Sequence, residues 1–256
     1  MLMILFVHSI NEYPEAMHQL WAHALLVPHW GIIGSAVFLL LSGYGMLCSL
    51  QRRGTSFDGH YWLRKAKGLL LPYIVTFVVT ALTLTVYDAK YDGAYNFDAC
   101  QLLHLSLSDG NELWFFKTIV AEYLLLMILN LIQLSPRMQV IVMGVIHVVA
   151  VAMMYGSGWP RYWWASDVFF ALGMATALIV VRRQMNTKPT RALPWEPYAS
   201  RALSYIGRNS ICFYLLEIPV MWTLPSALLP WPLFFLLTVA LTTLLTELYR
   251  RSFGRL

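Results

Sequence analysis

Charged residues are scarce in this chain, since Asp, Glu, Lys and Arg make up 12% of its 256 residues. An ordinary soluble domain carries about 25% charged residues. A soluble fold of this length also lacks the volume to bury so many helix-length apolar stretches. Hydrophobic residues make up 59% of the chain, and the mean hydropathy is +0.60. This composition excludes a soluble domain and is typical of an integral membrane protein.

Cysteine is also rare, and the three cysteines are Cys48, Cys100 and Cys212. Their spacing matches no metal site or redox pair, and an odd number suggests no disulfide framework. Cys48 and Cys212 fall in apolar stretches, where we expect them to pack as small hydrophobic residues. The net charge of +5 has its source in loops between apolar stretches, and no groove-reading or base-stacking module accompanies it. Nucleic acid is therefore not an expected partner.

Apolar stretches of helical length recur along the whole chain. We predict an all-α, polytopic transmembrane helix bundle with a single domain over residues 1–256 and about eight passes. The first pass is incomplete, because ten helical residues reach only about 15 Å across a hydrocarbon layer of about 30 Å. The predicted passes are residues 1–10, 30–50, 68–88, 113–134, 138–156, 164–181, 205–224 and 231–249.

Basic residues predict the orientation of these passes, because cytoplasmic loops are rich in Lys and Arg. With both termini in the cytoplasm, every basic residue except Lys90, Lys117 and Arg161 falls on the cytoplasmic side. Five of them lie between two consecutive apolar stretches and form a short basic segment: Arg52, Arg53, Arg64, Lys65 and Lys67. Such residues can serve as topology signals and lipid contacts, or they can bind a phosphate-rich ligand.

Small residues precede the basic segment within the same apolar stretch, namely Ser35, Ser42, Gly43 and Gly45. Small side chains let two membrane helices approach closely. They would equally leave room for the narrow arm of a ligand that carries phosphate groups. Both interpretations remain open from the residues alone.

Several titratable residues lie at predicted membrane depth, where charge is costly and often functional. His8 is either a buried hydrogen-bonding residue or a general base for a hydroxyl group. Glu122 and Glu217 are each a proton relay, a substrate acceptor or half of a structural pair. His147 is expected to be structural. Asp167 begins a helix or, beside the stacking faces of Trp163 and Trp164, contacts a carbohydrate.

Five segments together resemble a known family. They are LFVHS near the start, GSAVFLLLSGYGM, YWLRKAKGLLLPYIV, LWFFKTIVAEYLL and SYIGRNSICFYLLEIPV, in that order. The chain resembles acyltransferase family 3, the bacterial integral membrane O-acyltransferases of the O-antigen and exopolysaccharide acetyltransferase type. Each segment is weakly specific, and their order and combined coverage carry the resemblance.

The resemblance implies transfer of an acyl group, usually acetyl, from acyl-CoA to a sugar hydroxyl in a bacterial plasma membrane. It implies that His8 is the catalytic residue and that Arg52, Arg53, Arg64, Lys65 and Lys67 hold the CoA phosphates. Three residues would line the donor channel: Ser42, Gly43 and Tyr44. Residues expected to contact the substrate are Glu122, Glu217, Asp167 and Trp114. The expected partners are a carbohydrate or lipid-linked glycan and the lipid bilayer, and no metal is expected.

The chain departs from the family pattern in three respects. The family arginine about three helical turns before the histidine is absent, so we expect a truncated start. Glu217 stands where the family commonly has histidine, and the family usually has more spans. Two other hypotheses follow: a proton-coupled transporter or flippase-like bundle using Glu122, His147 and Glu217, or a degenerate, non-catalytic family member.

Overall fold

The computed structural model describes residues 2–11, 21–53, 57–90, 114–184, 210–217, 219–221, 223–224 and 229–253. Within these residues all the regular structure is helical, as the composition predicts. The helices are α1 (Leu2–Asn11), α2 (Trp21–Arg53), α3 (Gly59–Lys90), α4 (Trp114–Leu131), α5 (Pro136–Gly156), α6 (Arg161–Trp164), α7 (Phe169–Gln184), α8 (Ser210–Met221) and α9 (Trp231–Phe253).

Among the described residues, four helical segments are long and apolar enough to cross a membrane. They are Gly31–Arg53 in α2, the whole of α4 and α5, and Trp231–Ser252 in α9. The prediction of an all-helical fold is therefore confirmed for the described residues, and four of its helical segments are candidate membrane spans. The number of about eight passes and the side on which the termini lie remain predictions.

The described surface is rich in exposed apolar side chains, while several buried side chains are polar. On α5 the side chains of Val145, Val148 and Met153 are 59%, 65% and 66% exposed. On the same helix Gln139 and His147 are 3% and 2% exposed. Large apolar patches are unusual on soluble monomers. This distribution suits a helix whose outer face meets lipid and whose inner face meets protein.

The chain divides into two compact units. Unit 1 comprises residues 1–31, 65–114 and 203–256, and unit 2 comprises residues 32–64 and 115–202. In unit 1, α1 packs against α9, with Leu5, Met221 and Phe234 in a shared core. The ring of Phe6 on α1 meets the ring of Trp231 edge to face, with centroids 5.3 Å apart.

Unit 2 contains a close crossing of α2 and α7 at two glycines. A Cβ atom placed on Gly43 would lie 2.1 Å from the backbone oxygen of Phe170, and one on Gly173 would lie 1.9 Å from that of Leu40. Both distances are far below van der Waals contact, so only glycine fits at either position. Gly43 therefore serves the close helix approach that small residues allow.

Unit 2 also contains a hydrogen bond between α3 and α4 and a capped start of α5. The indole N–H of Trp62 donates to the side-chain oxygen of buried Asn130, at 3.0 Å. Helix α5 starts with Ser135 as its N-cap and Pro136 in the first turn, and the Ser135 side chain accepts from the Met138 N–H. Serine at the cap and proline at the first position are a strong start signal. The residue ranges of α4 and α5 agree closely with the predicted passes 113–134 and 138–156.

The predicted pass over residues 164–181 is not one continuous helix. Helix α6 ends at Trp164, a turn covers residues 165–168, and the apolar part of the next helix is Phe169–Val180. Twelve residues span about 18 Å, which is less than a hydrocarbon layer. Ser166 and Asp167 occupy the turn, and such side chains favour turns over helix interiors. Both residues are buried, so the Asp167 carboxyl group lies in the interior of unit 2.

Cysteines behave as the sequence predicts where they are described. Cys212 is a free, buried residue of α8, and Cys48 is a free, half-buried residue of α2. Cys100 lies outside the described residues.

Candidate functional site

His8 of α1 and Glu217 of α8 form a buried pair in unit 1. The Nδ1 atom of His8 lies 2.7 Å from Oε1 of Glu217. The Glu217 side chain is fully buried, and the His8 side chain keeps 13% of its surface exposed. The Tyr214 ring lies one helical turn before Glu217, with its centroid 6.3 Å from that of the imidazole. The pair joins residues that are 209 positions apart.

This pair has the arrangement of an oriented base. An ionised carboxylate only accepts hydrogen bonds, so Nδ1 of His8 carries the hydrogen and donates it to Glu217. In neutral imidazole the lone pair then belongs to Nε2, which can take up a proton. A carboxylate that holds the ring in one tautomer is the third member of many nucleophile–base–orienter sets. The pair can therefore accept and return a proton.

Three more titratable residues meet in unit 2: Glu122 of α4, His147 of α5 and Asp167 of the turn before α7. The Nε2 atom of His147 lies 2.6 Å from Oε1 of Glu122. The Nδ1 atom of His147 lies 2.6 Å from the backbone oxygen of Met143. One side-chain atom from each of the three residues lies within 4.8 Å of the others, and all three residues are buried. We call Glu122, His147 and Asp167 the acidic–histidine cluster.

The basic segment contains an ordered contact around Asp58. The Arg53 guanidinium donates to Oδ2 of Asp58 at 3.0 Å and stacks over the Tyr61 ring, 4.7 Å from its centroid. The Tyr61 backbone N–H donates to Oδ1 of Asp58 at 3.1 Å. That backbone hydrogen bond, together with the Arg53 charge, lowers the pKa of the Asp58 carboxyl from its ordinary value. Asp58 thus caps the start of α3.

The residues predicted to hold the donor phosphates fall in both units. In unit 2, Arg52, Arg53 and Arg64 are exposed. In unit 1, Lys67 is exposed and Lys65 is half-buried. Exposed guanidinium and ammonium groups are available to a solvent-borne phosphate. The predicted binding of CoA by these residues remains a prediction.

Of the predicted channel residues, Ser42 and Tyr44 are half-buried on α2, and Gly43 is buried. The backbone of α7 occupies the space in front of Gly43, so packing alone explains that glycine. A donor channel lined by these three residues remains a prediction.

The four residues predicted to contact substrate do not share one place. Glu217 lies beside His8 in unit 1, while Glu122 and Asp167 lie together in unit 2. Trp114 is the first residue of α4 and is half-buried. Trp163 and Trp164, the stacking faces proposed beside Asp167, contact Trp159 and Tyr155 edge to face.

Sequence reasoning singled out the members of both groups but not their pairing. A structural pair is one of the sequence interpretations of Glu122 and of Glu217, and the structure supplies a histidine to each. The signal that could have suggested this is the presence of histidines as well as glutamates in otherwise apolar stretches, since buried charges are normally paired. The positions of Glu122, His147 and Asp167 along the chain gave no signal that His147 lies in a three-residue cluster.

Comparison with known proteins adds no assignment. Set against protein-family models, curated proteins and solved structures, the chain matches none. Its function must therefore be argued from the two groups of buried titratable residues and from its membrane character.

Proposed function

We propose that this chain is a membrane-bound O-acyltransferase. It would move an acyl group, most simply acetyl, from acyl-CoA to a hydroxyl of a cell-envelope or exported carbohydrate. The observation that carries the proposal is the His8–Glu217 pair, a 2.7 Å contact between an imidazole and a fully buried carboxylate. The resemblance to acyltransferase family 3 points to the same histidine.

The reaction needs one base that later acts as an acid. Nε2 of His8 takes the proton of the acceptor hydroxyl while its oxygen attacks the thioester carbonyl carbon. The carbon–sulfur bond then breaks, and the imidazolium returns the proton to the leaving thiolate. Glu217 holds the ring and stabilises the imidazolium between the two steps. His8 is the catalytic residue in this scheme, and Glu217 is a positioning residue.

The donor in this scheme is a soluble nucleotide thioester, which requires cationic groups for its phosphates. Exposed Arg52, Arg53, Arg64 and Lys67, together with Lys65, supply that chemistry. Arginine binds phosphate through two parallel N–H···O bonds, and lysine acts as a point charge. Half-buried Ser42 and Tyr44 would line the route of the pantetheine arm.

The proposal includes an orientation in a bacterial plasma membrane. About eight passes with both termini in the cytoplasm would put the basic segment on the side where acyl-CoA is made. The asymmetry of Lys and Arg along the sequence supports this arrangement. The carbohydrate or lipid-linked glycan would then approach from the opposite side or from within the bilayer.

Radiolabelled acetyl-CoA tests the proposal. Membrane vesicles containing the chain are supplied with label and with lipid-linked and polymeric glycan, and label on the glycan is measured. We expect His8→Gln to lower the transfer rate at least about 100-fold, because a general base contributes about that much or more. Free imidazole should restore part of the rate of His8→Ala, since it can occupy the vacated base position.

The matched control is Ser9→Ala, which removes a neighbouring buried hydroxyl that donates to the Phe6 carbonyl of its own helix. It should transfer label at the wild-type rate. Normal transfer by His8→Gln would show that another residue is the base. No transfer by the wild-type chain, with correct folding and insertion, would favour a non-catalytic protein.

The acidic–histidine cluster favours a second candidate function, a proton-coupled transporter or flippase-like bundle. Three titratable side chains buried together can pass protons. Vesicles that contain the chain and an internal pH dye distinguish the two functions. Collapse of an imposed pH gradient, lost in Glu122→Gln, would favour transport, whereas label transfer without proton flux would favour the enzyme.

A further inference from the structure

The acidic–histidine cluster is buried within unit 2 and belongs to neither partner of the His8–Glu217 pair. Glu122, His147 and Asp167 are 5%, 2% and 8% exposed. They come from α4, α5 and the turn before α7, so three separate elements direct a side chain to one point. The cost of burying such groups requires that something compensates their charge.

The hydrogen positions on His147 follow from its partners. The backbone oxygen of Met143 only accepts, so Nδ1 of His147 carries a hydrogen and donates it over 2.6 Å. In neutral imidazole the Nε2 atom then carries a lone pair, and it faces Oε1 of Glu122 at 2.6 Å. Two lone pairs at this distance repel each other. A positive centre must therefore lie between them.

The second carboxylate oxygen of Glu122 also has lone pairs that need a positive centre or a hydrogen-bond donor. Its Oε2 atom is buried, no N–H or hydroxyl group in the described part of the chain donates to it, and the Asp167 carboxyl group makes a hydrogen-bonding contact with Glu122. The Asp167 carboxyl group shares the same small volume, and an ionised carboxylate also only accepts. Two carboxylates and a neutral imidazole carry a charge of −2. Either two additional protons or one divalent cation would compensate it.

From this arrangement we propose that Glu122, His147 and Asp167 bind one divalent transition-series cation, such as Zn²⁺ or Mn²⁺. Bonds of about 2.0–2.2 Å to one nitrogen and two oxygens place the ligand atoms at most about 4.4 Å apart. The three atoms here lie within 4.8 Å of one another, so small side-chain shifts bring all three into range. For tetrahedral coordination at these bond lengths, the Nε2–Oε1 distance must widen from 2.6 Å to about 3.4 Å.

The surroundings of His147 suit a metal ligand. A histidine that binds metal through one ring nitrogen commonly donates its other N–H to a backbone carbonyl, which fixes the tautomer. The Met143 oxygen fills that position. One imidazole with two carboxylates is a donor set for Zn²⁺, Mn²⁺ or Fe²⁺, whereas Ca²⁺ prefers six to eight oxygens. The ion ties α4, α5 and the turn before α7 together within unit 2.

The site is tested on the full-length chain in lipid nanodiscs, after any histidine tag is removed. The protein is stripped with chelator and incubated with Zn²⁺ or Mn²⁺, and bound metal is measured by mass spectrometry. We expect one ion per chain. Glu122→Gln, His147→Gln and Asp167→Asn should each weaken binding at least tenfold. The control Glu217→Gln changes the other buried glutamate that pairs with histidine, and it should bind the ion as the wild type does.

Two measurements on the unmodified chain keep the test valid if a variant fails to fold. Co²⁺ in the stripped protein should give ligand-field absorption in the visible region, which nitrogen and oxygen ligands produce. Metal addition in weak buffer should release protons, because the ion displaces those held by the cluster. A wild-type chain that binds no ion would overturn the proposal and leave two protons in its place. Equal binding by all three variants would overturn it as well.

Discussion

At the scale of single residues, three hydrogen bonds in the described part of the chain join buried polar side chains on different helices. Trp62 donates to Asn130, His8 bonds to Glu217 and His147 bonds to Glu122. A polar group left alone in an apolar interior costs about 1–3 kcal/mol, and more when it is charged. Each bond therefore fixes which helix faces which neighbour, as well as adding a local attraction.

Asp58 gives a residue-scale prediction on pH. Its folded-state pKa is lowered by the Tyr61 N–H bond and by Arg53, so its ionised form stabilises the start of α3. That stabilisation is complete above the unfolded pKa of about 4 and is lost as the pH falls through the lower folded value. We expect Asp58→Asn to be less stable than wild type at pH 7, with a difference that shrinks at low pH. Thermal unfolding in nanodiscs at stepped pH measures it.

The control separates capping from charge. Asparagine keeps the capping oxygen, so Asp58→Asn tests the charge, and Asp58→Ala removes both. Asp58→Ala should remain less stable than Asp58→Asn even at low pH. A difference between wild type and Asp58→Asn that does not change between pH 7 and pH 3 would contradict the prediction.

The titratable residues of both buried groups could be found from sequence, but their partners could not. His8, Glu122 and Glu217 stand out because ionisable groups are rare in apolar stretches. His8 and Glu217 are 209 positions apart, and Glu122 and His147 are 25 apart. No local periodicity predicts such pairs, because the packing of separate helices decides them.

At the scale of helices, the contact between α2 and α7 depends on backbone approaching backbone. Gly43 faces the Phe170 carbonyl and Gly173 faces the Leu40 carbonyl, with no space for a methyl group at either site. Close approach of this kind increases dispersion contact and is common between membrane helices. Helix α2 also carries Gly45, and the space where a Cβ atom on Gly45 would lie is open.

These two glycines allow a matched test on one helix. Gly43→Ala forces α2 and α7 apart and should destabilise the protein by about 1–3 kcal/mol, the usual cost of overpacking. Gly45→Ala meets nothing and should be neutral or stabilise α2 by up to about 1 kcal/mol, because alanine favours helix. Thermal unfolding of both variants in the same lipid measures the contrast. Equal stability of the two variants would show that the crossing is not held as described.

Helix starts and stops could be predicted where the sequence carries a strong local signal. Ser135 and Pro136 carry such a signal for α5, which begins at Pro136, two residues before the predicted pass 138–156. The predicted pass over residues 164–181 fails because hydropathy averages over a window and does not register one turn. Ser166 and Asp167 break the helix there, and the break carries Asp167 to Glu122 and His147.

At the scale of the whole molecule, composition predicted more than any motif did. The membrane class follows from hydropathy, because the lipid solvent selects apolar side chains along every crossing helix. For α5 the structure adds which face is exposed: Val145 and Val148 are exposed, whereas Met143 and His147 are buried. The residues proposed to bind acyl-CoA are single positions and not a long stretch of one residue type. Composition therefore could not predict that they share a role.

Exposed apolar residues of α5 provide the last prediction, which distinguishes a lipid-facing surface from a water-facing one. Val145 is 59% exposed near the middle of Pro136–Gly156, and Tyr155 is 70% exposed near its end. On a water-facing surface, Val145→Lys would change stability by no more than about 0.5 kcal/mol. In a bilayer it puts an ammonium at the centre of the span, which costs about 2.5–3.5 kcal/mol.

Tyr155→Lys is the control, because a lysine near a helix end can extend its charged group to the interface. We therefore expect Val145→Lys to reduce the fraction of chain that inserts and folds in liposomes, while Tyr155→Lys inserts nearly as the wild type does. Protease protection and helical circular dichroism measure the two fractions. If both lysine variants insert equally well, the outer face of α5 meets water or another protein surface, and the proposed set of passes loses α5 as a lipid-facing span.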